Sequence, residues 1–179
     1  MNVNHGRYAS CSRQKGFTFL ELVVVITIIS ILAVFAFDRY YRLLVDVERT
    51  TMEHNLGVMR SAIAMQVASY FVAGKMPELE TLLGTNPMEL LAEQPKNYLG
   101  VRSQQNIDGI EPGNWFYDAD AKLLVYVVRN TLFFETERAK PARVRFKIFP
   151  VYSDRDQGSY LSGLRLRPLE TYRWLKTSN

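Results

Sequence analysis

From Phe17 to Phe37 the chain runs for 21 residues with one charge, Glu21, and with no Gly or Pro. As an α-helix rising 1.5 Å per residue, that run measures roughly 31 Å, about the thickness of a bilayer's hydrocarbon core. It is apolar all round rather than along one stripe, as Val23-Val24-Val25-Ile26-Thr27-Ile28-Ile29 illustrates, and such a surface suits lipid or a bundle of like helices. Thr27 and Ser30 are small enough to bond to the helix backbone or across helices. Beyond Asp38 the pattern changes. Met52, Leu56, Met59, Ile63, Val67 and Tyr70 recur at spacings of three and four, while Arg49, Glu53, Arg60 and Gln66 fall elsewhere. That periodicity predicts an amphipathic helix laying one face on a domain, with Gly74 and Pro77 marking its end.

The remainder divides into a connecting region, 75–113, and a β-rich region, 114–179. Pro77 to Leu83, with Gly84 after it, reads as a short helix with a glycine stop. Asn86-Pro87-Met88-Glu89-Leu90-Leu91 has an N-cap followed by proline at the first helical position. Residues 97–100 suit a short strand or turn, and 103–113 a polar surface loop. Trp115-Phe116-Tyr117, a turn over 118–122 and Leu123 to Val128 predict a hairpin. Further strands are expected at 131–137, 143–151 and 160–167. A long helix followed by strands predicts an α+β fold, an antiparallel sheet packed on the helix's C-terminal half.

Charge and cysteine usage depend on where the chain is cut. The whole sequence has a net charge of +4 and a pI of about 9.2, which invites a nucleic-acid reading. Arg7, Arg13 and Lys15 lie before Gly16 with no acid among them, leaving 19 basic and 18 acidic residues in the rest. Basic residues ahead of an apolar span stay in the cytoplasm, so the C-terminal part is expected across the membrane. Cys11 is the only cysteine and also precedes Gly16. A lipoprotein cysteine would follow an apolar run, whereas here the run comes after it. A chain starting at Phe17 has no thiol for a disulfide, a metal site or catalysis.

Three readings compete for residues 1–37. A secretory signal has a shorter apolar core and a small-residue cleavage site, but this run ends in Ala36-Phe37-Asp38-Arg39. A plain single-pass anchor fits the length and leaves Glu21 unexplained, since a carboxylate at the centre of a spanning helix costs about 3 kcal/mol. The third reading starts from Gly16-Phe17-Thr18-Phe19-Leu20-Glu21-Leu22, preceded by Arg13-Gln14-Lys15. This segment resembles the processing site of type IV prepilins and type II secretion pseudopilins. The resemblance covers about 25 residues. It implies cleavage by prepilin peptidase after Gly16, methylation of the Phe17 amine, and a pilin fold for the whole.

Elementary chemistry supports that mechanism. Gly16 lets a protease approach the backbone closely, and cleavage frees an amine that is mostly charged at neutral pH. Glu21 lies four residues on, so a neighbour stacked with a vertical offset brings its Phe17 amine to this carboxylate. The implied partners are prepilin peptidase, other pilin or pseudopilin subunits, an inner-membrane assembly platform and membrane lipid. The implied location is the inner membrane, single-pass, with the N-terminus cytoplasmic and the head periplasmic, followed by a pilus or pseudopilus. Many pilins have a helix-breaking Pro or Gly within the span. Here Ser30 and Asp38 occupy those places, and a continuous helix is expected. The C-terminal disulfide of many type IV pilins is impossible here, which favours a pseudopilin or minor pilin.

Two further features carry candidate chemistry. Arg143, Arg145 and Lys147 alternate with Val144, Phe146 and Ile148, and Arg165 and Arg167 with Leu164 and Leu166. If those strands pair, five cations share one sheet face. It is either a basic stripe for DNA phosphates or an acidic partner, or the wet side of a half-buried sheet with Glu135 and Glu137 opposite as compensation. Asp154-Arg155-Asp156-Gln157-Gly158-Ser159 places Asp154 and Asp156 in a loop, as in some calcium-holding pseudopilins. The spacing fails the EF-hand pattern, and an Asp-rich turn without metal is the simpler account. His5, His54 and the absence of a nucleophile motif or phosphate loop give no support to an enzyme, and no cofactor is implied. Alternatives to a filament subunit are a competence-type pilin binding DNA and a static membrane-anchored periplasmic binding module. The latter predicts no cleavage at Gly16 and no loss on replacing Glu21.

Overall fold

The computed structural model describes residues 16–103, 109–137, 141–155 and 158–175, in two units that divide in sequence between Tyr41 and Arg42. One α-helix, α1 (Phe19–Val72), runs through both without interruption. In the N-terminal unit its side chains are exposed apart from Ala33. Thr27 and Ser30 each donate a hydroxyl to the carbonyl four residues back, on Val23 and Ile26, both at 2.8 Å. Their polar groups are thus satisfied within the helix rather than left to the surroundings. Asp38 lies inside regular helix, as expected of a segment without Pro or Gly.

α1 ends where the sequence predicts. Gly74 takes a positive φ of 68°, its N–H donates to Phe71 O, and the Lys75 N–H reaches back to Tyr70 O at 2.9 Å. This pair of bonds is a Schellman close, which needs the left-handed conformation that glycine adopts without a Cβ penalty.

In the second unit the helix buries Val45, Met52, Leu56, Met59 and Ile63 along one stripe, with Asn55 on the same side. Each fully buried aliphatic or Met side chain contributes about 1.5–3 kcal/mol of transfer energy. The stripe packs on a five-stranded sheet ordered β1 (Tyr98–Arg102), β2 (Trp115–Asp118), β3 (Leu123–Val127), β5 (Arg143–Arg155) and β6 (Gly158–Pro168). The facing core comprises Trp115, Tyr117, Leu124, Tyr126, Val144, Phe146, Ile148 and Leu166. Trp115 sits at its centre, 4.7 Å from the Tyr126 ring and 5.7 Å from Phe146. A second, two-stranded sheet pairs β4 (Phe134–Thr136) with β7 (Tyr172–Trp174).

The α+β class and the helix-on-sheet arrangement match the sequence reading, with four differences. The sheet is antiparallel except that β1 runs parallel to β2; the connection over 103–114 is long enough for the crossover a parallel neighbour demands. Residues 131–133 form a 3-10 turn, so only the second half of the expected 131–137 strand pairs. β7 is an additional strand, short enough to escape a period-two signal. β5 and β6 extend beyond 151 and before 160, so residues 154–155 and 158–159, read as a loop, belong to a long hairpin.

Local chemistry explains the connectors. Pro77 and Pro87 sit at the starts of 3-10 helices Met76–Leu82 and Pro87–Leu90, and the Asn86 side chain accepts from the Met88 N–H. In the β2–β3 turn Asp118 Oδ1 accepts from the amides of Asp120 and Ala121 at 3.1 and 3.0 Å, an Asx turn. β2 and β3 are buried on both faces, and on the face away from α1 Ile110 packs against the cluster of Phe116, Leu123, Val125 and Val127.

Candidate functional site

Gly16 and Phe17 precede the helix in exposed chain without regular secondary structure. A Cβ built on Gly16 would meet nothing within 4 Å, so no packing in this chain demands a glycine there. Phe17 is 77% exposed. Thr18 is the N-cap: its Oγ1 accepts the Glu21 N–H at 3.2 Å and its carbonyl accepts the Leu22 N–H at 3.1 Å. Glu21 therefore stands three residues after the cap, where an acid is favoured by the helix dipole. The Thr18-x-x-Glu21 spacing is a capping signal in its own right, and it was legible in the sequence. It gives Glu21 a local structural role beside the one the resemblance implies. The Glu21 side chain is exposed, as are its apolar neighbours on every side. An 18-residue window of the helix reaches a mean hydropathy of 2.8 with none of it buried, long and apolar enough to cross a membrane. Arg13, Lys15 and Cys11 lie outside the described residues.

In the second unit, the register places all five sequence-predicted cations on the sheet face away from α1. Lys147 is opposite Arg167 and Phe149 opposite Arg165; Val125 is opposite Arg145 and Val127 opposite Arg143. Arg143 and Arg145 are half-buried, whereas Lys147, Arg165 and Arg167 are exposed. The expected compensation by Glu135 and Glu137 does not occur. Those acids lie on the β4–β7 sheet, where Glu135 pairs with Arg173 at 2.9 Å and Glu137 accepts from the Thr171 hydroxyl. Arg145 is paired instead with the largely buried Glu170. Asp154 is an exposed strand residue opposite Ser159. Asp156 lies outside the described residues. His54 is exposed on α1, as expected.

Sequence reasoning missed Glu48. Its carboxylate accepts from the Tyr126 hydroxyl at 2.9 Å, from the backbone amides of Arg129 and Asn130 at 2.7 and 2.9 Å, and from Asn130 Nδ2 at 2.6 Å. Burial, reinforced by the Glu48 charge, pushes the Tyr126 phenol well above its ordinary pKa. No sequence pattern predicts these contacts, because every partner is about 80 residues away.

Residues 11–37 match the model of the prokaryotic N-terminal methylation motif. Neither comparison, with curated proteins or with solved structures, gives a match. The motif spans Arg13 and Lys15 ahead of Gly16, the exposed Gly16–Phe17 junction, the capped helix start with Glu21, and the apolar run. The N-terminal segment of the chain therefore carries the prokaryotic N-terminal methylation motif, which supports a type IV pilin-like prepilin peptidase site there.

Proposed function

We propose that the chain is a structural subunit of a type IV pilus or type II secretion pseudopilus, cleaved after Gly16 and methylated on Phe17. The observation that carries this reading is Glu21, the single charge in an exposed apolar helix segment long enough to cross a membrane. Lipid covers that surface before assembly, and like helices cover it afterwards. A carboxylate in either setting is tolerated when paired, and the amine freed at Phe17 supplies the partner in a neighbouring subunit. The leader's positive residues hold the N-terminus in the cytoplasm and direct the head to the periplasm. The work is mechanical: packing, register and extraction from the inner membrane by an assembly platform.

Co-expression with a prepilin peptidase, followed by intact-mass measurement, tests processing. The expected product starts at Phe17 and carries one added methyl group; an intact leader refutes the reading. Glu21→Gln should still be cleaved yet fail to enter filaments. Normal incorporation of that variant would remove the pairing role of Glu21 and favour a static anchored module.

A further inference from the structure

The half of α1 that packs on the sheet has a second face, uncovered among the described residues. Leu44, Thr51, Val58, Met65 and Val72 fall at intervals of seven residues, and Val47, His54, Ser61 and Ala68 follow the first four of them by three. All nine are exposed, Met65 at 74% and Val72 at 86%. Helix geometry turns this set away from the buried stripe of Met52, Leu56, Met59 and Ile63. A free helix face ordinarily carries the charges. Here they keep to another side: Asp46, Arg49, Glu53 and Arg60 recur along their own strip, and residues 61–74 contain none.

An interval of seven with a second position at three is a 3.5-residue repeat, the period of a helix that supercoils with another helix. The repeat holds for four heptads, about 42 Å of helix. No free charge flanks it. Thr50, Gly57, Ala64 and Phe71 on one side are neutral, and on the other Glu48 is engaged by Tyr126, Arg129 and Asn130.

These features select the partner. In a parallel, in-register pair each layer meets its own kind, Val58 on Val58 and Met65 on Met65, and the same patch serves both copies. Thr51, His54 and Ser61 then stack like on like, as polar layers that fix register at some cost in stability. Copies anchored in one membrane by the same apolar segment are already parallel and level with each other. We propose that residues 44–72 form a parallel two-stranded coiled coil with a second copy of this chain, pairing subunits side by side in the membrane. This rests on the membrane-spanning part of the proposed function, and on neither cleavage nor filament entry. Its register is level, unlike the vertical offset that brings Phe17 to Glu21.

The test is oxidative cross-linking of the full chain in membranes from cells without prepilin peptidase, so that the leader stays on and no filament contact contributes. Cys11 is replaced by Ser, which leaves one introduced cysteine as the only thiol. Val58→Cys and Met65→Cys should each give covalent dimers. Glu53→Cys, exposed on the charged strip of the same stretch, should not. Adding Met65→Glu to the Val58→Cys chain sets like charges against each other in the seam and should lower the dimer yield about 10-fold or more. Met65 is exposed in the single chain, so the head's unfolding midpoint should stay at the parent's, which separates lost pairing from lost folding. No dimer at Val58 and Met65, an equal yield at Glu53, or a yield unchanged by Met65→Glu would each overturn the proposal. So would a Val58→Cys chain that links to a Met65→Cys chain in preference to its own kind, which is the mark of a staggered contact.

Discussion

Glu48 is the point at which the head can be weakened most by removing a group that looks, in sequence, like one more exposed helix charge. Glu48→Ala orphans the buried Tyr126 hydroxyl, at about 1–3 kcal/mol. It also takes a charged acceptor from the two amides and the Asn130 side chain, at about 0.5–1.5 kcal/mol each where water can substitute. Because the four contacts share one acceptor they do not add fully, and the expected total is about 3–4 kcal/mol. Against a typical domain stability of about 5–15 kcal/mol that is a large fraction, and it corresponds to a fall of about 10 °C in the midpoint. Trp115 and Trp174 are both buried in this unit and are the only tryptophans, so their emission reports head unfolding in the detergent-solubilised full chain. Urea titration of the parent, Glu48→Ala, Glu48→Gln and Tyr126→Phe should give graded losses. Glu48→Gln should retain roughly half, because one acceptor oxygen remains, and Tyr126→Phe should cost about 1 kcal/mol. A Glu48→Ala variant within about 0.5 kcal/mol of the parent, inside the range of ordinary surface substitutions, would refute the reasoning.

Alkaline pH should weaken the head. Burial, the leading cause in each case, raises the pKa of Tyr98, Tyr117, Tyr126 and Tyr172. The folded state then keeps protons that the unfolded chain releases above about pH 10, so stability is full below that pH and falls as pH rises through the folded values. Phenolate absorbance followed beside tryptophan emission checks this, and a midpoint that stays flat well above pH 10 counts against it. Two glycines should respond oppositely to alanine. Gly113 has φ 91° and a Cβ there would lie 2.7 Å from Arg129 Nη2, so Gly113→Ala should lose about 1–2 kcal/mol. Gly57, inside α1 with nothing within 4 Å of an added Cβ, should gain about 1 kcal/mol. Equal midpoints for the two variants would contradict both assignments.

The parts of this fold that the sequence announces are those set by near neighbours. Helix periodicity located Met52, Leu56, Met59 and Ile63, because a buried stripe repeats every three to four residues whatever covers it. Gly74, Asn86-Pro87 and the Asp118 turn were legible for the same reason, each being fixed within five residues. The unforeseen features depend on partners far along the chain. Tyr98–Arg102 became a parallel edge strand because β2 was beside it, and β7 exists because Phe134 and Trp174 pair. The compensation assigned to Glu135 and Glu137 failed because they belong to another sheet, while Glu170, which no sequence pattern singles out, pairs with Arg145. At the N-terminal site the motif itself was readable, and the Thr18 cap was readable but overshadowed by the more specific Gly16–Glu21 pattern.

The stripe on α1 has a consequence for synthesis. Arg60 on the helix donates to the carbonyl of Leu166, 106 residues later, and Leu166 is fully buried on the same core as Ile63. At 5–20 residues per second, roughly 5–20 s pass between the appearance of the helix stripe and that of the strand that finishes covering it. Contacts of such separation also form late for entropic reasons. A nascent head thus presents Met52, Leu56, Met59 and Ile63 as an open apolar ridge for most of its time on the ribosome, and chains released before β6 never close it.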